Sequence, residues 1–283
     1  GKGVRGAPRD ALVADVTSPE QRGAAYGLRQ SLDSIGAFLG PTLAVVLMAI
    51  TAESFRTVFW VAVIPGGIAV LILALGVREP TEKLQTLSRQ PFRFSGLTTL
   101  GAAYWSVVVI GAIFGLARFS EAFLLLRAQD VGLRAGWVPL VLILMNAVYA
   151  LTAYPAGRMS DRLGPRGMLV AGLGVLAVSD WVLGMTTAVW GVCTGAALWG
   201  FHMGLTQGVL NALVANTAEE RLRGTAFGFF SLVQGVSVLG ASLLAGGLWD
   251  RFGASIAFWT GGGLAVFAML GVIVLGRIVR VQN

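Results

Sequence analysis

Gly157-Arg158-Met159-Ser160-Asp161-Arg162-Leu163-Gly164-Pro165-Arg166-Gly167 joins two apolar stretches, 136–157 and 168–187, and the rest of the chain is read outward from it. Its glycines permit a sharp reversal of the backbone, and its arginines fix the side of a membrane on which the turn lies. Three arginines alone would make an ordinary basic loop. An acid at the same membrane edge, within the pattern G-x-x-x-D-R-x-G-x-R, needs a further reason.

Further apolar stretches lie at 23–50, 57–77, 99–127, 189–216, 224–249 and 253–276, which makes eight with the two that flank the turn. A hydrocarbon core about 30 Å thick takes roughly 20 apolar residues per helix. Of the 283 residues, 55% are hydrophobic and 12% charged, half the ionic content of a soluble domain at about 25%. The fold class is an all-α polytopic membrane protein. One cysteine, Cys193, and one histidine, His202, cannot build a zinc site, a disulfide framework or a redundant Cys/His dyad. No metal or other cofactor is expected. Gly1, Gly3 and Gly6 spell G-x-G-x-x-G, but no strand precedes them, so the dinucleotide reading fails and they are taken as packing positions.

Basic residues set the orientation. Arg22, Arg78, Lys83, Arg89, Arg93, Arg158, Arg162, Arg166, Arg221 and Arg223, with Arg277 and Arg280 in the tail, fall on one side, twelve against the four of Arg56, Arg127, Arg134 and Arg251. The first side is expected in the cytoplasm, with the carboxyl terminus there, in a bacterial inner (cell) membrane. This accounts for most of the net charge of +7 without nucleic acid. The polar stretch from Arg78 to Ser95 divides the chain into an amino-terminal part at 1–77, a cytoplasmic linker at 78–98 and a carboxy-terminal bundle at 99–283.

The chain also echoes itself. DALVADVTSPEQRGAAYG at Asp10 to Gly27 aligns without gaps on NALVANTAEERLRGTAFG at Asn211 to Gly228, and both copies place Arg-Gly-x-Ala-aromatic-Gly at the start of a span. Repetition across two halves marks a secondary transporter built from duplicated bundles; channels and membrane enzymes do not need it.

With the repeat, the central linker and the span count beside it, the stretch at 157–167 resembles the loop signature of the major facilitator superfamily, in the copy between the eighth and ninth of its twelve spans. The resemblance covers the whole chain. It implies that Gly1 to Val16 is the end of span four, that the complete helices are spans five to twelve, and that earlier spans are missing from this sequence. It also implies that spans four, seven and ten line a central pathway and that five, eight and eleven form the contact between halves. Gly27, Gly36 and Gly40-Pro41 resemble the span-five antiporter signature of drug:proton exchangers, but Ala44 and Val45 stand where that pattern has two further glycines. Ordinary small-residue packing reads the same glycines equally simply, since G-x-x-x-G recurs at Gly204/Gly208 and Gly224/Gly228.

Ionisable groups within a membrane are costly and mark function or a static pair. Arg29, Asp33, Gly36 and Gly40 share a stripe about 60° wide, with Asp33 about 15 Å from the cytoplasmic start of its span. Arg118 and Glu121 are expected to pair at i,i+3 in span seven. Lys2, Arg5 and Arg9 share a face of span four, either for an anionic solute or to complement acids elsewhere. His202, with Gln207 and Asn211, lies on span ten, as a hydrogen-bonded packing residue or a proton relay. Asp180 is expected near the outer end of a lipid-facing helix and is given no role. Asp161 is expected beside Arg22 and Gly23, where the free N–H groups of a helix start favour a carboxylate. Gly157, Arg162, Gly164 and Arg166 complete that gating set, and Arg223 with Gly224 is its counterpart through the repeat.

The chain therefore reads as a secondary active transporter of a small solute, working by alternating access and by proton-coupled efflux, with the bilayer and protons as its other partners. It is not read as an enzyme: no acid, base and nucleophile set converges on one loop or span, and no Walker signature is present. A transport-inactive membrane sensor or assembly partner with the same fold is the alternative.

Overall fold

A computed structural model describes residues 2–51, 55–76, 97 and 99–281, and every regular element among them is helical. The α-helices are α1 (Lys2–Val16), α2 (Arg22–Ile50), α3 (Phe55–Gly76), α4 (Ala102–Ala117), α5 (Ala122–Asp130), α6 (Pro139–Leu163), α7 (Pro165–Met185), α8 (Val189–Thr217), α9 (Arg223–Phe252) and α10 (Ala254–Val281). Helix is what such a composition must form in lipid, because each backbone N–H and C=O then finds its partner within its own segment. Six helical stretches among the described residues are long and apolar enough to cross a bilayer. The α2 and α8 helices, each 29 residues long, complete the expected eight but carry polar side chains at mid-helix. The expected linker at 78–98 lies, apart from Leu97, outside the described residues.

The turn at 157–167 is tighter than a glycine-rich loop. The α6 helix continues through Gly157 to Leu163, Gly164 alone leaves helical conformation at φ +88°, and Pro165 opens α7. Proline suits a first helical position because the N–H it lacks would have no partner there. The Gly164 N–H closes α6 on the Ser160 carbonyl at 2.9 Å. Gly253, at φ +85°, makes the same one-residue corner between α9 and α10.

A second departure interrupts the stretch expected as one span at 99–127. Arg118 is extended, at φ −122° and ψ 111°, and helix resumes only at Ala122. The freed backbone finds side chains: the Ser120 N–H donates to Ser242 Oγ at 3.0 Å and the Ala122 N–H to Ser120 Oγ at 3.3 Å. Broken helices survive at membrane depth only where such partners or a cavity receive them.

By packing, residues 1–35 group with 93–283, and residues 36–92 form a second unit. In the first unit α8 lies between α6 and α7, α7 also packs on α10, α4 on α9, and α1 on α9. Trp199, Val192, Ala196 and Val209 of α8 are wholly buried, whereas Leu151 and Trp190 point outward as lipid-facing residues do. Five rings, Phe119, Phe123, Trp199, Trp249 and Phe258, join the α4–α5 break to α8, α9 and α10 at centroid separations of 5.1 to 5.9 Å.

The corner yields a stability test. Gly164→Ala places a Cβ in a conformation open only to glycine and should cost about 1–3 kcal/mol. Gly167 is helical with open space around it, so Gly167→Ala should be neutral or gain about 0.5–1 kcal/mol. Thermal unfolding of the two variants in detergent checks the contrast.

Candidate functional site

The Asp161 carboxylate sits on the amino end of α2. Oδ1 accepts the Gly23 N–H and Oδ2 the Ala24 N–H, both at 2.8 Å. Gly157 is one turn earlier on the same face of α6, and its backbone touches that of Gly23 so closely that a side chain on either would collide with the other helix. The spacing G-x-x-x-D thus has a physical reading: the glycine admits the helix end and the acid binds it. Farther along, Gly27 of α2 packs on the Ala153 carbonyl of α6, and a Cβ at Gly208 of α8 would stand 3.0 Å from the Gly27 nitrogen.

Beside this contact the two copies of the repeat exchange arginines. Arg22 donates to Asn216 Oδ1 at 2.7 Å, to the Ala215 carbonyl at 3.1 Å and to the Ala14 carbonyl at 3.3 Å. Its equivalent, Arg223, pairs in the opposite direction with Asp15, the residue that matches Asn216. The equivalent rings of Tyr26 and Phe227 meet at 6.0 Å. In the turn that precedes α2, the exposed Glu20 carboxyl is held below its ordinary value by its own backbone N–H and then by Ser18. Arg162 lines an open groove with Asp161, while Arg166 donates to the Ile273 carbonyl and so links α7 to α10.

A second polar centre joins α1 and α2. Arg29 contacts Asp10 at 2.9 Å and Asp33 at 3.2 Å, and Arg9 contacts Asp33 at 3.2 Å and Asp10 at 3.7 Å. The expected Arg29–Asp33 pair is therefore half of a closed ring with two charges of each sign. Of the two uses expected of the basic face, Arg9 shows the pairing with acids, here Asp10 and Asp33; the side chains of Lys2 and Arg5 lie outside the described residues. Asp10 was missed as a site residue. Its signal was available in the repeat, where the second copy has the neutral Asn211. Asp33 is the accessible acid, with 47% of its side chain exposed against 12% for Asp10. Gly36, Gly40 and Pro41 belong to the second unit, and within it no described atom lies within 4 Å of a Cβ built at Gly36 or Gly40. Of the four helix-packing positions expected on α2, Gly27 is the one with a described close contact.

The third centre is a narrow cleft between α4, α8 and α9 with a cavity volume of about 20 Å³, lined by Arg118, His202, Gln207 and Gln234 among others. Arg118 and Glu121 are not paired there, contrary to expectation, because the break at Arg118 removes the helical geometry that an i,i+3 pair needs. His202 is buried, and Gly172 O lies 2.8 Å from Nδ1. A carbonyl only accepts, so Nδ1 carries the hydrogen. Phe114 stacks on the ring. Asn211, one turn beyond Gln207, does not line the cleft. Gln234 has no sequence signal beyond being an amide among small apolar residues. Asp180 also departs from expectation: it is wholly buried against Gly261 and Gly262 of α10, whose missing side chains make room for it.

The sequence profile of the Major Facilitator Superfamily matches residues 1–127 and again 107–282. An MFS-type transporter of Methanocaldococcus jannaschii is 31% identical over 276 residues, a match covering 95% of this chain and 68% of that protein. The multidrug resistance protein MdtH of Yersinia pestis is 29% identical over 251 residues, covering 86% of this chain and 59% of that one. The crystal structure of the human organic anion transporter MFSD10 aligns with a TM-score of 0.73 over 94% of this chain and 67% of that chain, at 19% identity, a likeness of fold.

Asp161→Asn keeps the shape but loses one acceptor and the charge, and should weaken the α6–α2 contact by roughly 1–2 kcal/mol. In a Cys193→Ser background, a cysteine placed at Ala25, in the adjoining groove, should then react about tenfold faster with a membrane-impermeant maleimide. Expression should be unchanged.

Proposed function

Because this chain belongs to the Major Facilitator Superfamily, we propose that it acts as a secondary active transporter, exporting a small drug-like solute in exchange for protons across the bacterial inner membrane. The observation that carries the proposal is the ring of Arg9, Asp10, Arg29 and Asp33. A balanced ring on two helices is stable while both acids are ionised. A proton on Asp33 leaves two arginines facing the single charge of Asp10, so α1 and α2 gain a reason to move. Asp33 takes this role and Asp10 the static one, because Asp33 is the more exposed of the two acids. Glu121 is the reserve candidate.

Alternating access requires the cytoplasmic contacts to part and re-form. Asp161 on the start of α2 and the exchanged arginines suit that duty, being polar contacts that water can replace. The cytoplasmic carboxyl terminus belongs to the same proposal. The multidrug and organic-anion names of the relatives support a drug-like solute.

The test uses full-length protein in sealed vesicles with an imposed pH gradient and a panel of radiolabelled dyes and organic acids. Asp33→Asn should abolish gradient-driven accumulation while leaving solute binding in detergent within about twofold, the scatter of a surface change. Full proton-driven transport by this variant would make the ring structural. Binding without flux in the unmodified protein would favour the sensor reading.

A further inference from the structure

Of the charged side chains in the signature at 157–167, two are already engaged. Asp161 accepts the N–H groups of Gly23 and Ala24, and Arg166 donates to the Ile273 carbonyl. Arg158 and Arg162 have no hydrogen-bond or ion-pair partner among the described residues, and both are exposed. Holding the turn to one side of a membrane asks only for positive charge there, not for two arginines placed together over a hollow.

Their spacing of four residues puts Arg158 and Arg162 on one face of α6, in line with Tyr154, with about 6 Å of helix rise between successive members. Two hollows share this edge. One, of about 800 Å³, reaches across to Ala24, Ala25 and Leu28 of α2; the other, of about 350 Å³, lies on Pro155 and Met159. Either is large enough for a drug-sized group, and both are open. Polarity is graded along them. Arg162 stands one residue from the end of α6, whereas Leu28 is six residues inside α2, about 9 Å deeper. Leu28 and Met159 are 47% and 46% exposed. The acids on the rim are spoken for: Asp161 holds α2, and Glu20 is engaged by its own backbone N–H and by Ser18. Two cations are left over, above an apolar wall.

We infer that the groove between α2 and α6 holds an anionic phospholipid of the adjoining leaflet. Its phosphodiester oxygens accept from the guanidinium groups of Arg158 and Arg162, and its acyl chains lie on Leu28, Tyr154 and Met159. Arginine suits this partner because its planar fork matches the oxygens of a phosphate, and basic hollows between helices at the membrane edge take such headgroups. The inference rests on the membrane-spanning fold and is independent of proton coupling and of the solute.

Native mass spectrometry of the full-length protein, stripped of lipid in detergent and titrated with dioleoyl phosphatidylglycerol, reads the first binding constant. Phosphatidylethanolamine with the same chains should bind about fivefold more weakly. Arg158→Gln and Arg162→Gln should each weaken phosphatidylglycerol about fivefold, and together roughly twenty-five-fold, while Arg158→Lys keeps most of the affinity. Arg221→Gln removes an exposed arginine outside both hollows and should stay within about twofold. Thermal midpoints serve as the folding control. If the double variant does not fold, Met159→Glu, which sets a like charge beside the phosphate, carries the test with a similar loss. Equal affinity for the two lipids, a loss as large in Arg221→Gln, or no loss in the groove variants overturns the site. Displacement of the lipid by excess glycerol 3-phosphate gives the groove to a soluble phosphate ester and overturns the lipid as its occupant.

Discussion

A carboxylate resting on the open end of a helix organises this molecule. The first N–H groups of α2 have no partner within their own helix, and at the start of a span they must be met by water or by protein. Asp161 meets two of them, and it can do so only because Gly157 and Gly23 let two backbones touch. Once α2 is held against α6, Gly27 reaches Ala153 and Gly208 and Arg22 reaches Asn216. Each of these contacts depends on the angle at which α2 arrives. The signature at 157–167 is therefore less a loop than a socket, and its one true turn, at Gly164, is confined to a single residue.

The fold was largely legible because the bilayer leaves so little choice. Long apolar stretches become helices, and the expected spans at 189–216 and 224–249 meet α8 and α9 within a few residues at each end. What escaped the reading were the places where local pattern and tertiary partner disagree. Hydropathy runs on through Arg118, so nothing in the composition marks the break; Ser242, 122 residues away, supplies the bond that makes it tolerable. Asp180 looked peripheral because the glycines that accommodate it lie on α10. In the site, the position of Asp161 was readable because helix-end chemistry is local and strong. The ring was half readable, since the i,i+4 spacing gave Arg29 and Asp33, whereas Arg9 and Asp10 enter through the packing of a second helix.

Among the described residues, the arginines of the ring and of the repeat seam have acid, amide or carbonyl partners, whereas the buried Nη1 of Arg118 has no hydrogen-bond partner. Arg9 and Arg29 share acids, Arg22 takes an amide and two carbonyls, and Arg223 takes Asp15. Charge balance of this kind holds helices together and leaves nothing over for a ligand. Arg118, beside the break, lacks such an answer.

The exchange between the repeats has twofold geometry without twofold energetics. On one side Arg223 faces the carboxylate of Asp15; on the other Arg22 faces the neutral amide of Asn216. Mobile ions weaken the first more than the second, though the burial of Arg223 limits the screening. The two edges of the seam therefore differ in kind, one held by an ion pair and the other by a charged hydrogen bond to a neutral amide. A duplicated ancestor with identical copies would part evenly. Here, with an acid in one copy and an amide in the other, the two edges of the seam respond differently to salt.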